Sequence, residues 1–173
     1  MRLVLTGFMG TGKTSAGRRV AQILGRPFAD TDERVEAAAG RPIREIFARC
    51  GERRFRELER QAIAEALELP EAVVSVGGGA IGSEETFGRL ARAGLLVCLR
   101  ASPEAIAERV GPTVADRPLL AGAPSLPERI RSLLAARAAD YARVREQVET
   151  TGLSVDEVAA ELIARLRRAE GLR

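Results

Sequence analysis

The sequence predicts an α/β fold, in which a short parallel sheet of about five strands is covered by helices on both faces. Short apolar runs that suit buried strands alternate along the chain with longer segments whose apolar residues recur at helical spacing. The first apolar run is followed by a glycine-rich turn and then by a helical pattern. With 173 residues, 46% of them hydrophobic, the chain can bury a full core, and we expect a single domain.

The first strand and helix enclose the strongest motif. Residues 3–5 predict a buried strand, and residues 16–24 have the spacing of a helix. Between them, residues 7–14 fit the phosphate-binding loop pattern G-x-x-x-x-G-K-[ST]. In that pattern backbone N–H groups surround phosphates, Lys13 reaches the β/γ oxygens and Thr14 ligates Mg²⁺. A chance glycine turn is the alternative. We predict the three-layer P-loop NTPase fold, with nucleotide contacts from Gly10, Thr11, Gly12, Lys13, Thr14 and Ser15.

Lys13 is the one lysine among 27 basic residues. A genome that favours arginine codons explains the arginines, but it does not explain why the exception falls in this motif. A compact ammonium and a planar guanidinium are not interchangeable at phosphate oxygens. The composition therefore supports a catalytic, nucleotide-binding Lys13.

The composition of the chain argues against nucleic acid as a partner and excludes chemistry that depends on histidine. The formal net charge is +3, but the 24 acidic residues are interspersed with the basic ones, which favours a mixed solvated surface over a nucleic-acid-binding face. Histidine is absent, so acid–base chemistry must rest on carboxylates and His-ligated zinc is excluded. Cys50 and Cys98 lack metal-ligand spacing and are expected to be reduced thiols. With no signal peptide and no membrane-spanning run, we expect a cytoplasmic monomer that binds neither nucleic acid nor membrane.

A second short strand, around residues 27–29, leads directly into Asp30, Thr31 and Asp32. On an extended segment alternate side chains point the same way, so the two carboxylates are expected to share one side. The alternative is that Asp and Thr here only cap the helix over residues 33–39.

The middle of the chain predicts helices over residues 43–50 and 52–69, separated by Gly51. Arg56 and Glu59 are three residues apart on the second helix and can form an ion pair. A β-branched strand over residues 72–76 then ends in Gly77, Gly78 and Gly79. Three consecutive glycines let a ligand approach the backbone closely and favour a site; a flexible turn, which needs only one glycine, is the alternative.

The last part of the chain continues the alternation and contains one long loop. Further strands are predicted at residues 95–99 and 148–150, and further helices at residues 83–93, 103–109, 126–145 and 154–168. Residues 111–124 have glycines and prolines at both ends, with Arg117 near the centre. Such a segment can act as a mobile lid, although an ordinary polar connection is the alternative.

Ligands of parallel α/β sheets bind at the carboxyl ends of the strands, where Lys13, Asp32 and the three glycines all fall. Phosphoryl transfer to an alcohol needs Mg²⁺, phosphate ligands, a carboxylate for the hydroxyl and a cation for developing charge, which Arg117 can supply. The sequence thus predicts a Mg²⁺-dependent small-molecule kinase that uses a nucleoside triphosphate.

Six motifs together resemble the shikimate kinase family, in its order and spacing over most of the chain. They are Gly7-Phe8-Met9-Gly10-x-Gly12-Lys13, Asp30-Thr31-Asp32, Phe55-Arg56-x-x-Glu59, Gly77-Gly78-Gly79, Arg117-Pro118-Leu119-Leu120 and Arg137-x-x-x-Tyr141. The resemblance implies phosphorylation of the 3-hydroxyl of shikimate by ATP, giving shikimate 3-phosphate and ADP in aromatic amino-acid synthesis.

The resemblance also implies roles for individual residues. Thr14 and Asp30 would serve the Mg²⁺ ion, and Asp32 would contact the shikimate hydroxyls as base or orienter. The remaining implied contacts are Arg56 and Arg137 on the substrate carboxylate, Glu59 orienting Arg56, Gly77, Gly78 and Gly79 along the substrate, Arg117 on the transferring phosphoryl group and Arg109 at the adenine.

Three rival functions remain open from sequence. A P-loop kinase acting on gluconate or a nucleoside monophosphate shares the loop and the lid arginine, but it has no reason to keep Asp32, Arg56 and Arg137 together. A GTPase needs a second lysine for its N-K-x-D motif, and the chain has none. A basic nucleic-acid-binding ATPase is the third alternative.

Overall fold

A five-stranded parallel sheet lies at the centre of the protein. The computed structural model describes residues 1–116, 119–120 and 125–171. The strand order is β2-β3-β1-β4-β5. The strands are β1 (Arg2–Gly7), β2 (Phe28–Asp30), β3 (Val73–Ser75), β4 (Gly94–Arg100) and β5 (Glu146–Glu149). The helices are α1 (Lys13–Leu24), α2 (Thr31–Ala39), α3 (Ile43–Ala66), α4 (Glu84–Ala93), α5 (Pro103–Val110), α6 (Leu126–Ala136), α7 (Ala138–Ala142) and α8 (Val155–Ala169).

Helices cover both faces of the sheet, as the sequence predicts. On β1, Leu3 and Leu5 pack in one buried cluster with residues of α1 and α8, such as Val20 and Leu162. Val4, the residue between them, packs in the cluster on the opposite face, which includes residues of α3, α4, α5 and α6. Because both faces are buried, β1 is a nearly continuous apolar run without a polar face. No helix within the described ranges is long and apolar enough to cross a membrane.

Two predicted element boundaries differ in the structure. Helix α3 joins the two helices predicted on either side of Gly51, whose φ of 75° and ψ of 174° nevertheless interrupt the helical geometry. The helix predicted over residues 126–145 is wrong as one element, because it divides into α6 and α7 at Arg137 (φ −108°, ψ 2°). No Gly or Pro marks this break. It coincides with a hydrogen bond from the Tyr141 hydroxyl to the Gly78 carbonyl, a tertiary contact that outweighs local helix propensity.

The turn after β2 is tighter than predicted. The strand ends at Asp30 and α2 begins at Thr31, so Asp32 lies in the first turn of a helix and not on an extended segment. The prediction of alternate positions along a strand is therefore wrong at Asp32. A carboxylate in the first helical turn is favoured by the helix dipole, which accounts for its place there.

The predicted lid is described only in part. Residues Gly111–Asp116 form a short 3₁₀ segment directly after α5. Arg117, together with residues 118 and 121–124, lies outside the described residues.

Candidate active site

The glycine loop forms a compact turn between β1 and α1. Gly10 and Gly12 have φ values of 77° and 90°, left-handed conformations that side chains other than glycine rarely adopt. Gly12 is the N-cap of α1 and has no side chain that could cap the helix. Backbone N–H groups at such a helix terminus can bind an anion. The Lys13 Nζ donates to the carbonyl oxygens of Gly7 and Phe8, at 2.8 and 3.0 Å, so the loop curls around the ammonium group.

A hydroxyl at the start of α1 and a carboxylate at the end of β2 contact each other. The Thr14 hydroxyl donates to Asp30 Oδ2 at 2.7 Å. The other carboxylate oxygen of Asp30 accepts the backbone N–H groups of Asp32 and Glu33, at 2.9 and 3.5 Å. Asp30 therefore caps α2, which confirms the capping interpretation, and its other carboxylate oxygen contacts Thr14 at the start of α1.

This pair of oxygens fits a magnesium ion. Mg²⁺ prefers oxygen ligands, keeps several waters and is commonly held by one or two protein groups together with substrate phosphates. Among the described residues there is no cluster of three or more His, Cys, Asp or Glu side chains that could enclose a metal by themselves. Thr14 and Asp30 thus have the chemistry of a site completed by phosphate oxygens.

Among the described carboxylates, Asp32 has the pKa that departs most from its ordinary value. The pKa of Asp32 is raised from 3.8 to about 6, mainly by burial and in smaller part by the negative charges of Asp30 and Glu59, while Lys13 opposes the rise. A carboxylate with a pKa in this range can accept a proton near neutral pH more readily than an ordinary aspartate.

Arg56 and Glu59 form the predicted ion pair on α3. Arg56 Nη1 donates to Glu59 Oε2 at 2.7 Å, and Nη2 of the same guanidinium donates to Glu52 Oε1 at 3.2 Å. Glu59 is only 4% exposed, and desolvation raises its pKa although Arg56 opposes the shift. A buried carboxylate at this position fixes the guanidinium in one orientation.

The triple-glycine segment is the surface on which these side chains converge. A Cβ atom on Gly77 would lie 2.9 Å from both Asp32 Oδ1 and Glu59 Oε1. A Cβ atom on Gly79 would lie 3.2 Å from Nη1 and Nη2 of Arg56. A side chain at Gly77 or Gly79 would shift these charged groups, so the three glycines, called the glycine wall below, let them pack directly against the backbone.

Gly78 lies next to residues at the junction of α6 and α7. Its Cβ atom would lie 2.7 Å from the Gly7 carbonyl oxygen and 3.5 Å from Arg137 Nη1. The Tyr141 hydroxyl donates to the Gly78 carbonyl at 2.9 Å, and the Arg137 guanidinium lies 5.6 Å from the centre of the Phe8 ring. The two candidate carboxylate-binding arginines, one on α3 and one after α6, thus border consecutive glycines.

Two threonine hydroxyl groups, whose contacts the sequence analysis did not predict, connect parts of this site. The Thr31 Oγ1 accepts the backbone N–H of Gly77 at 3.2 Å, joining the Asp-Thr-Asp segment to the glycine wall. Thr150, which is 2% exposed, bonds to Arg109 and to the glycine loop. Thr31 belongs to the Asp30-Thr31-Asp32 motif, but its partner Gly77 could not be predicted, and Thr150 belongs to none of the six motifs.

Of the remaining predicted contacts, Arg109 and Ser15 are among the described residues. Arg109 donates to the Gly10 carbonyl at 3.3 Å and to Thr150, and is therefore adjacent to the loop. Ser15 is exposed in the first turn of α1. Arg117 lies outside the described residues, so no position is given for the predicted cation of the lid.

A model of the shikimate kinase family matches residues 9–167 of the chain. This chain belongs to the shikimate kinase family. It is 42% identical over 166 residues to a shikimate kinase of Thermodesulfovibrio yellowstonii, covering 96% of this chain and 95% of that one. It is also 42% identical to the enzyme of Symbiobacterium thermophilum, covering 96% and 97% of the two chains. Family membership makes it an enzyme with a kinase role and confirms the resemblance drawn from the six motifs.

Solved structures support the same family. The fold matches a shikimate kinase from Acinetobacter baumannii in complex with shikimate, with a TM-score of 0.90, 32% identity and coverage of 99% of this chain and 95% of that one. A gluconokinase from Sinorhizobium meliloti matches with a TM-score of 0.60 at 20% identity, covering 98% and 94% of the two chains. That second likeness shows the P-loop kinase fold alone.

Proposed function

We propose that this enzyme transfers the γ-phosphoryl group of ATP to the 3-hydroxyl of shikimate, giving shikimate 3-phosphate and ADP, with Mg²⁺ required. One observation carries the proposal. Asp32, Glu59, Arg56 and Arg137 border one short glycine wall, and that wall contacts the end of β1 from which the phosphate-binding loop starts. The likeness to a structure holding shikimate supports the choice of acceptor.

The nucleotide phosphates bind at the glycine loop. The N–H groups at the start of α1 and the Lys13 ammonium have the charge and direction that phosphate oxygens require. Thr14 and Asp30 would hold Mg²⁺ together with phosphate oxygens, and the ion would supply neutralisation of the charge on those oxygens. The Lys13 ammonium leaves the carbonyl oxygens of Gly7 and Phe8 to bind the phosphates.

The acceptor binds along the glycine wall through its carboxylate. Arg56 and Arg137 each present a planar fork of N–H donors, and such forks bind a carboxylate in two-point fashion. Glu59 orients Arg56 from its buried side. A neutral sugar or polyol lacks the anionic group that two arginines at one wall would recognise, which favours shikimate over such acceptors.

Chemistry takes place between the wall and the loop. Asp32 accepts the proton of the 3-hydroxyl as the hydroxyl oxygen bonds to the γ-phosphorus, and the bond to the β–γ bridging oxygen breaks so that ADP departs. Arg117, carried toward the site by the lid, would meet the charge that develops on the transferring oxygens.

Acceptor-dependent ADP release tests the proposal. Purified enzyme with Mg·ATP should release ADP rapidly with shikimate and only slowly without an acceptor. The same assay with gluconate and with nucleoside monophosphates as acceptors tests for the two rival kinase activities. Turnover of either rival acceptor in the absence of shikimate turnover would contradict it.

A further inference from the structure

Thr150 occupies a junction that none of the six motifs includes. It follows β5 and is 2% exposed. Its backbone N–H donates to the Arg100 carbonyl at 2.8 Å at the end of β4. Its hydroxyl oxygen lies within donor distance of the carbonyl oxygens of Thr11, at 3.1 Å, and Arg100, at 2.9 Å. The hydroxyl carries one proton, which these two carbonyl oxygens share, so Thr150 ties the end of β4 to the glycine loop.

The same hydroxyl also accepts a hydrogen bond from the arginine at the end of α5. Arg109 Nη1 donates to Thr150 Oγ1 at 3.0 Å, and Arg109 Nη2 donates to the Thr150 carbonyl at 2.7 Å. Arg109 Nη1 lies a further 3.3 Å from the Gly10 carbonyl oxygen. Thr150 therefore reaches the loop twice, directly at Thr11 and through Arg109 at Gly10.

These contacts fall on the part of the loop that has least side chain to hold it. Gly10 and Gly12 have none, and both adopt left-handed conformations. A loop that binds phosphate with backbone N–H groups must keep those groups pointing at one place before the ligand arrives. Anchors on the carbonyl oxygens of Gly10 and Thr11 fix the peptide planes whose N–H groups belong to the next residues, since the peptide unit is planar.

We propose that Thr150 is a positioning residue for the nucleotide, which holds the phosphate-binding loop and Arg109 in their binding arrangement. The inference rests on the proposed use of ATP, but it does not depend on which acceptor is phosphorylated. Loss of the hydroxyl should weaken nucleotide binding and leave acceptor binding unchanged. The effect of removing a buried hydrogen-bonding group with a charged partner is on the order of tenfold or more.

Thr150→Val is the test, because valine keeps the shape and the branched Cβ and removes only the hydroxyl. ADP and ATP affinities are measured by calorimetry without acceptor, and KM values for ATP and shikimate are measured separately. We expect about tenfold weaker nucleotide binding and a similar rise in the KM for ATP, with the KM for shikimate within about twofold. Thr150→Ser, which keeps the hydroxyl, should restore most of the affinity.

Thr151→Val is the matched control. Thr151 is exposed, and its hydroxyl accepts the Ser102 N–H and donates to Glu149, so its own contacts lie away from the glycine loop and Arg109. It should bind nucleotide like the wild type. Should Thr150→Val not fold, Thr150→Cys compared with Thr150→Ser repeats the test, because a thiol is a much weaker hydrogen-bonding group of similar size.

Three outcomes would overturn the inference: nucleotide affinity of Thr150→Val within twofold of wild type, an equal loss in Thr151→Val, or an equal rise in both KM values. Failure of the proposed function looks different, because it would leave wild-type nucleotide binding intact while shikimate gave no turnover.

Discussion

Replacing Asp32 by asparagine should stabilise the protein while it disables the reaction. Burial of the Asp32 carboxylate, reinforced by the charges of Asp30 and Glu59, raises its pKa from 3.8 to about 6. A rise of that size corresponds to about 3 kcal/mol of unfavourable free energy for the ionised form in the folded protein. Because the side chain keeps partial contact with solvent, we expect about 1–2 kcal/mol of added stability in Asp32→Asn near neutral pH.

The sign of the pH dependence follows from the direction of the shift. A carboxylate whose pKa is raised by folding favours the folded state when it is protonated, and this contribution is lost as the pH rises from about 3.8 through about 6. The stability advantage of Asp32→Asn should therefore be largest at about pH 7.5 and should shrink on acidification to about pH 4.5. Asparagine does not titrate, so the variant lacks this component of the pH dependence.

Urea unfolding in buffer containing a chelator, without nucleotide or metal, measures the stability of wild type and variant at both pH values. Asp156→Asn is the control, because Asp156 is an exposed carboxylate paired with Arg19, and it should give no stabilisation. In the presence of Mg·ATP and shikimate, Asp32→Asn should lower kcat by roughly 10²-fold or more. A variant that is no more stable at pH 7.5, or that retains near-wild-type kcat, would refute the account of this carboxylate.

Three further predictions concern the acceptor site and the lid. Arg137→Ala should weaken shikimate binding by about 10- to 100-fold in calorimetry and leave ATP binding nearly intact, whereas the exposed Arg145→Ala should change neither. Gly78→Ala should lower the melting temperature and shikimate turnover, because its Cβ would lie 2.7 Å from a backbone carbonyl; Gly82→Ala, with a nearest contact of 3.4 Å, should be close to wild type. Arg117→Ala should still bind Mg·ATP but lose at least about 10² in single-turnover rate, with little rescue by Arg117→Lys. A loss of shikimate binding in Arg145→Ala equal to that in Arg137→Ala would contradict the role of Arg137. Normal stability and turnover of Gly78→Ala would contradict the role of Gly78, and a wild-type rate in Arg117→Ala would contradict the role of Arg117.

The parts of the site that depend on local chain geometry could be predicted from the sequence. The glycine loop, the Asp30 cap and the pair of Arg56 and Glu59 each need only residues within a few positions of one another. Parallel strand order then places loops from distant parts of the chain at one sheet edge, which is why Lys13 and the glycine wall could be assigned to one cleft.

The parts that depend on long-range contacts could not be predicted. The break at Arg137 lies in an alanine-rich segment with high helix propensity, and it accompanies a hydrogen bond between Tyr141 and Gly78, 63 residues away. The junction at Thr150 joins β5 to a loop 139 residues earlier in the chain. The motif analysis singles out Arg137, Tyr141 and Gly78 but shows neither the helix break nor the bond between Tyr141 and Gly78, and Thr150 belongs to no motif. Only the packed structure reveals these contacts.

The position of the transferred phosphoryl group tests the central claim most directly. The product of wild-type enzyme, Mg·ATP and shikimate can be examined by phosphorus–proton correlation in NMR, which identifies the ring carbon that carries the phosphate. The account predicts coupling of the new phosphorus signal to the proton on carbon 3, with one ADP formed for each phosphate transferred. A phosphate on another hydroxyl, or ADP and free phosphate without a phosphorylated ring, would contradict it.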